Sequence, residues 1–67
     1  MNLTINGEPR ELEGSPSSIS DVLAALGMAG VPVVVELNEE ALLPRKHAET
    51  SVADGDRLEI VRVVAGG

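Results

Sequence analysis

The 67-residue chain contains no cysteine. That excludes disulfides, thiolate metal sites and cysteine nucleophiles together, and with them a disulfide-stapled secreted miniprotein. Phenylalanine, tyrosine and tryptophan are absent as well, so any core must be built from aliphatic side chains. Basic residues are scarce, five against eleven acidic ones, for a net charge of −6. A surface of that sign is repelled by phosphate backbones and anionic lipid, so neither nucleic acid nor membrane is an expected partner. A protein with a basic face fits better. No apolar run approaches the roughly 20 residues that cross a bilayer. The opening MNLTINGEPR lacks the basic start and apolar core of a signal peptide. The expected compartment is the cytoplasm.

What is present is twenty Val, Ile and Leu, enough for one small layered fold. A chain of about 60 residues buries only about 60% of its unfolded surface, so the margin of stability is thin. We expect a single domain over residues 1–65 and a flexible diglycine tail at 66–67.

Met1, Leu3 and Ile5 alternate with Asn2 and Thr4 and are followed by Asn6-Gly7, a strong signal for a type I′ hairpin turn. That turn sets Ile5 against Glu8, Thr4 against Pro9, Leu3 against Arg10 and Met1 against Leu12, which brings Leu12 onto the apolar face. In this register the nitrogen of Pro9 points away from the first strand, so the second strand must lie at a sheet edge. Ser18 reads as a helix N-cap with Asp21 three residues on. Ile19, Val22, Leu23 and Leu26 form one apolar stripe, and Gly27 is placed to end the helix. Val33–Leu37 reads as a third strand, Asn38–Glu40 as a turn and Ala41–Leu43 as a short strand stopped by Pro44. A helical turn is expected within Arg45–Thr50, a turn at Asp54-Gly55-Asp56 and a long central strand over Arg57–Ala65. Strands outnumber the single helix, so the economical packing is α+β, with that helix across one face of the sheet. The last strand then poses a question. Leu58 and Ile60 share one face, while Val61 and Val63 share the other, which a lone helix leaves open. Either the strand is covered on both sides or bulged, or its valines form an apolar contact surface.

Catalytic patterns are missing. There is no G-x-x-x-x-G-K-[ST] loop and no G-x-G-x-x-G. His47, the only histidine, has no second metal ligand at helical spacing and is expected at the solvated surface. Glu39-Glu40 reads as a charged turn, Asp54-Gly55-Asp56 lacks the later ligands of a calcium loop, and Ser15, Ser17 and Ser18 suit turns and caps. No metal site, no intrinsic cofactor and no enzymatic activity are expected.

The ending VVAGG is unusual, because two glycines follow a strand with no polar linker between. A frayed end is the plain explanation of terminal glycines. Yet Gly66 and Gly67 can enter a channel only as wide as a backbone, and Ala65, Gly66 and Gly67 together extend roughly 10 Å. Such a tail can thread the carboxylate of Gly67 into another protein's active site while the domain stays outside. A carboxylate is inert until activated, typically as an acyl-adenylate made with ATP.

The opening INGE, the single helix, LNEEALLPRKHAET and the ending DGDRLEIVRVVAGG together resemble the small β-grasp, ubiquitin-like sulfur carriers of thiamin biosynthesis, the ThiS family. The resemblance covers essentially the whole chain. Glu39 stands where that family's N-G-x-x-x-P-R segment usually has glycine, a change expected to touch only a turn. The resemblance implies that an E1-like adenylyltransferase couples Gly67 to AMP, using ATP. A persulfide relayed from a cysteine desulfurase then displaces AMP and leaves a C-terminal thiocarboxylate. Thiazole synthase takes that sulfur for the thiazole ring. It also implies that the outer face at Val61 and Val63 docks the adenylating enzyme. Carriers for molybdopterin or cysteine synthesis and ubiquitin-like protein modifiers share the fold and the activation step, and stand as alternatives.

Overall fold

A computed structural model describes residues 1–64. Its elements in chain order are β1 (Asn2–Ile5), β2 (Glu8–Glu11), α1 (Ile19–Ala25), β3 (Val33–Leu37), β4 (Glu40–Leu42), a 3-10 turn (Pro44–Lys46) and β5 (Arg57–Arg62). The five strands form one sheet in the order β2-β1-β5-β3-β4. Among the described residues only the β1–β5 pairing is parallel, so the sheet is mixed. The last strand in sequence is the central one in space, as its apolar content requires.

Asn6-Gly7 closes the first hairpin with φ of 52° and 81°, the two positive values a type I′ turn demands. The register is the one this turn imposes, from Ile5 opposite Glu8 to Asn2 opposite Glu11. Met1 and Leu12 extend it with reciprocal hydrogen bonds of 2.9 and 2.8 Å. β2 is an edge strand, where Pro9 costs no ladder bond.

A second two-residue turn, Asn38-Glu39, joins β3 to β4 with φ of 50° and 73°. Both turn asparagines reach across to β5. The Asn6 side chain accepts from the Ile60 N–H at 2.7 Å and donates to the Ile60 carbonyl at 3.1 Å. That of Asn38 accepts from the Arg57 N–H at 2.9 Å and donates to the Asp56 carboxylate at 3.2 Å. One residue type thus fills the left-handed turn position and also ties the neighbouring strand.

The helix is defined at both ends. Ser18 accepts from the Asp21 N–H at 3.1 Å and Asp21 reaches back to the Ser18 N–H at 3.2 Å, a complete capping box. At the other end Gly27, φ 76°, donates to the Ala24 carbonyl and Met28 to the Leu23 carbonyl, the paired bonds of a Schellman motif. Ile19, Val22 and Leu23 face the sheet, where Leu3, Ile5, Val33, Val35, Leu58 and Ile60 complete an aliphatic core with Leu12 and Val52.

Several boundaries differ from expectation. β5 ends at Arg62 instead of Ala65, because β3 begins at Val33, directly opposite Arg62, and offers no strand partner beyond it. Glu40 belongs to β4 and Leu43 does not, since the two-residue turn leaves Glu40 paired with Leu37. The helical turn lies over Pro44–Lys46, started by the proline. The largest correction concerns His47, which is 7% exposed. The 3-10 turn folds against the helix, where the His47 carbonyl accepts from the Ser20 N–H at 3.0 Å, and this carries the imidazole inward. Its Nε2 has no hydrogen-bond partner among the described residues. The domain limit at residue 65 and the diglycine tail lie outside the described residues.

Candidate functional site

The helix covers one face of the sheet. The register of β3 and β5 runs unbroken from Val33 opposite Arg62 to Leu37 opposite Leu58, so no bulge diverts the valines of β5. Leu58 and Ile60 turn inward and are buried, whereas Val61 and Val63 remain 60% and 49% exposed. The outer face is therefore open, and its valines form an exposed apolar patch.

Pairing enlarges that surface. Val34 lies directly opposite Val61 and is 46% exposed, and Leu43, one residue past β4, is 55% exposed. Val63 donates its N–H to the Pro32 carbonyl at 3.0 Å, which holds the chain against β3 one residue beyond the strand. Val64 follows at 80% exposure. Aliphatic groups concentrated at one end of an exposed sheet mark an interaction site more than scattered ones do. Val34 and Leu43 escape a strand-by-strand reading, because only the alignment of β3 with β5 and β4 brings them beside Val61.

The other end of the same face is polar. Glu36 lies opposite Glu59, and Arg57, Asn38 and Glu39 surround them. Like charges directly opposite each other repel, so this end carries negative potential outward, suited to steering a basic partner.

The remaining candidates for chemistry are committed elsewhere. Asp21 accepts from the Ser17 hydroxyl at 2.9 Å and from the Ser17 and Ser18 N–H groups. The Ser17 hydroxyl first, then these backbone donors, hold its carboxyl below the ordinary 3.8. Asp54 accepts from the Asn2 N–H and Asp56 from the Ala53 N–H at 2.8 Å, closing the turn before β5. Glu39 and Glu40 are exposed. Among the described residues no group of three or more His, Asp or Glu side chains could hold a metal ion. No helix among them is long and apolar enough to cross a membrane. Among the described residues the candidate site is the outer face at Val61 and Val63, and both side chains are exposed there. Ala65, Gly66 and Gly67, the remaining site residues, lie outside the described residues.

The ThiS family model matches residues 3–67. The chain is 41% identical over 63 residues to the sulfur carrier protein ThiS of Thermus thermophilus, an alignment covering 94% of this chain and 95% of that one. It is 40% identical over its full length to part of a thiazole synthase of Paramagnetospirillum magneticum, of which it spans 20%. The crystal structure of a thiamine biosynthesis protein (ThiS) from Geobacter metallireducens superimposes with a TM-score of 0.83 at 40% identity, all of both chains being covered.

Proposed function

Because this chain belongs to the ThiS family, we propose that Gly67 is the residue on which it carries sulfur. The fold is β-grasp, and the protein is a sulfur carrier of thiamin biosynthesis. The observation that carries the assignment is a family match running through the last glycine, from residue 3 to residue 67. In our reading the protein is a cosubstrate in the cytoplasm, consumed and regenerated, and not itself an enzyme.

The chemistry has two steps on one carbon. The Gly67 carboxylate attacks the α-phosphorus of ATP in an E1-like adenylyltransferase, expelling pyrophosphate and forming an acyl-adenylate. A persulfide, supplied through a cysteine desulfurase or relay protein, then attacks the acyl carbon and expels AMP. Cleavage of the resulting sulfur–sulfur bond by a thiol leaves the thiocarboxylate. Thiazole synthase is the consumer, a reading supported by the carrier-like stretch within the thiazole synthase of Paramagnetospirillum magneticum. The chain's own contribution is presentation. Ala65 and Gly66 thread the partner's channel, while Val61, Val63 and Val34 dock its surface and the acidic end of the face steers the encounter.

The test is thiazole formation in a reconstituted system with the Gly67 deletion. We expect product formation to stop while thermal unfolding is unchanged, because deleting a terminal glycine removes no side chain from the aliphatic core. Undiminished product formation overturns the assignment of Gly67.

A further inference from the structure

The central strand has a bare edge at the end that leads to the tail. Backbone groups of β5 alternate in direction. Asn38 donates to the Arg57 carbonyl and Val63 donates to that of Pro32, so Arg57, Glu59, Val61 and Val63 turn their N–H and C=O groups toward β3. The even residues turn theirs toward β1. Asn6 donates its backbone N–H to the Leu58 carbonyl at 2.9 Å, and its side chain satisfies both groups of Ile60. There the β1 side stops. Arg62 is next in the alternation, and among the described residues no group pairs with its N–H or C=O on that side. Gly7 and Glu8, where the chain turns away, are exposed, as are Arg62, Val63 and Val64.

Both outer edges of the sheet carry or adjoin a proline, and this one does not. β2 carries Pro9 with Glu8, Arg10 and Glu11, all exposed, and β4 is three residues long and followed by Leu43-Pro44. Proline, charge and brevity are the ordinary protections against strand addition. The lane that β1 vacates at Asn6-Gly7 lacks proline and leaves backbone donors and acceptors of the central strand uncovered.

We propose that this lane is a strand-addition site, filled by an extended segment of the adenylyltransferase that receives the tail. The inference rests on the sulfur-carrier reading and deepens it. Gly67 follows Val64 by three residues, a reach of at most about 10 Å, so an enzyme that grips Gly67 comes within reach of this edge. Main-chain pairing at Arg62 fixes the direction in which the chain leaves the domain, and Val61 and Val63 supply the adjoining apolar contacts.

Hydrogen exchange of the Arg62 amide, followed in the free protein and in its complex with the adenylyltransferase, tests the proposal. We expect fast exchange in the free protein, slowed at least about tenfold in the complex, as one hydrogen bond withdrawn from exchange requires. Protection already present in the free protein overturns the proposal. So does unchanged exchange in a complex whose Val61 and Val63 methyl signals shift, and that result leaves the carrier function standing. Absence of any complex, with no sulfur transferred to the chain, overturns both. Arg62→Pro provides a second reading, because the Arg62 nitrogen faces away from β3 and no ladder bond is lost. We expect it to bind about tenfold more weakly than Arg62→Ala, which keeps the N–H, and equal binding by the two folded variants contradicts strand addition.

Discussion

Glu39 holds a left-handed backbone conformation, φ 73°, which costs a residue with a Cβ about 1–2 kcal/mol. The resemblance to the N-G-x-x-x-P-R segment implies glycine at this position, where the sequence alone reads as a harmless turn. The structure shows the reason for the glycine. Glu39→Gly should stabilise the protein by about 0.5–1 kcal/mol, the strain relieved less the added freedom of the unfolded chain. A denaturant midpoint shifted upward with unchanged slope supports this, and an unchanged midpoint counts against it. Asp21 acts through pH. Its carboxyl is held below the ordinary 3.8 by the Ser17 hydroxyl and by the Ser17 and Ser18 N–H groups. A carboxylate depressed in the folded state contributes stability above 3.8 that is lost as pH falls through the lowered folded value. Stability should therefore fall less steeply in Asp21→Asn than in the parent below pH 3.8, and parallel acid unfolding curves would contradict that. The capping pair was legible from Ser18 and Asp21 alone, because a capping box is local. The burial of His47 was not, because it depends on the 3-10 turn meeting α1 across the fold.

At the scale of elements, the two faces of the sheet predict opposite phenotypes. Leu23 is buried at 7% exposure under the helix, and Leu23→Ala should cost about 2–5 kcal/mol with the outer face intact. Val61 is 60% exposed, so Val61→Asp should change stability by less than about 1 kcal/mol. It should weaken docking to the adenylyltransferase by on the order of tenfold or more, since it sets a charge in the apolar end of that face. Paired chemical-denaturation and titration measurements separate the two effects. Unfolding by Val61→Asp comparable to that by Leu23→Ala would show that the outer face is core. The first hairpin, its register and the edge position of β2 were readable because Asn6-Gly7 and Pro9 act locally. The end of β5 and the membership of Val34 and Leu43 in the exposed apolar patch were not. They depend on where β3 and β4 align, which alternation within one strand does not specify.

At the scale of the whole molecule, a small aliphatic core is built around a central strand that leads in sequence to Gly67. The core needs no Phe, Tyr or Trp, because eleven buried aliphatic side chains among the described residues, from Leu3 to Ile60, fill the space between helix and sheet. The charge of −6, with Glu36 and Glu59 facing outward, favours encounter with a basic partner, a contribution that salt screens within about 8–10 Å. The central claim is that sulfur is carried on Gly67. Its most direct test is the intact mass of this protein after incubation with the adenylyltransferase, ATP and a sulfur source. A gain equal to the replacement of one oxygen by one sulfur is expected in the parent and not in Gly67→Ala. An unchanged mass, or an adenylate that accumulates and never exchanges for sulfur, would contradict it.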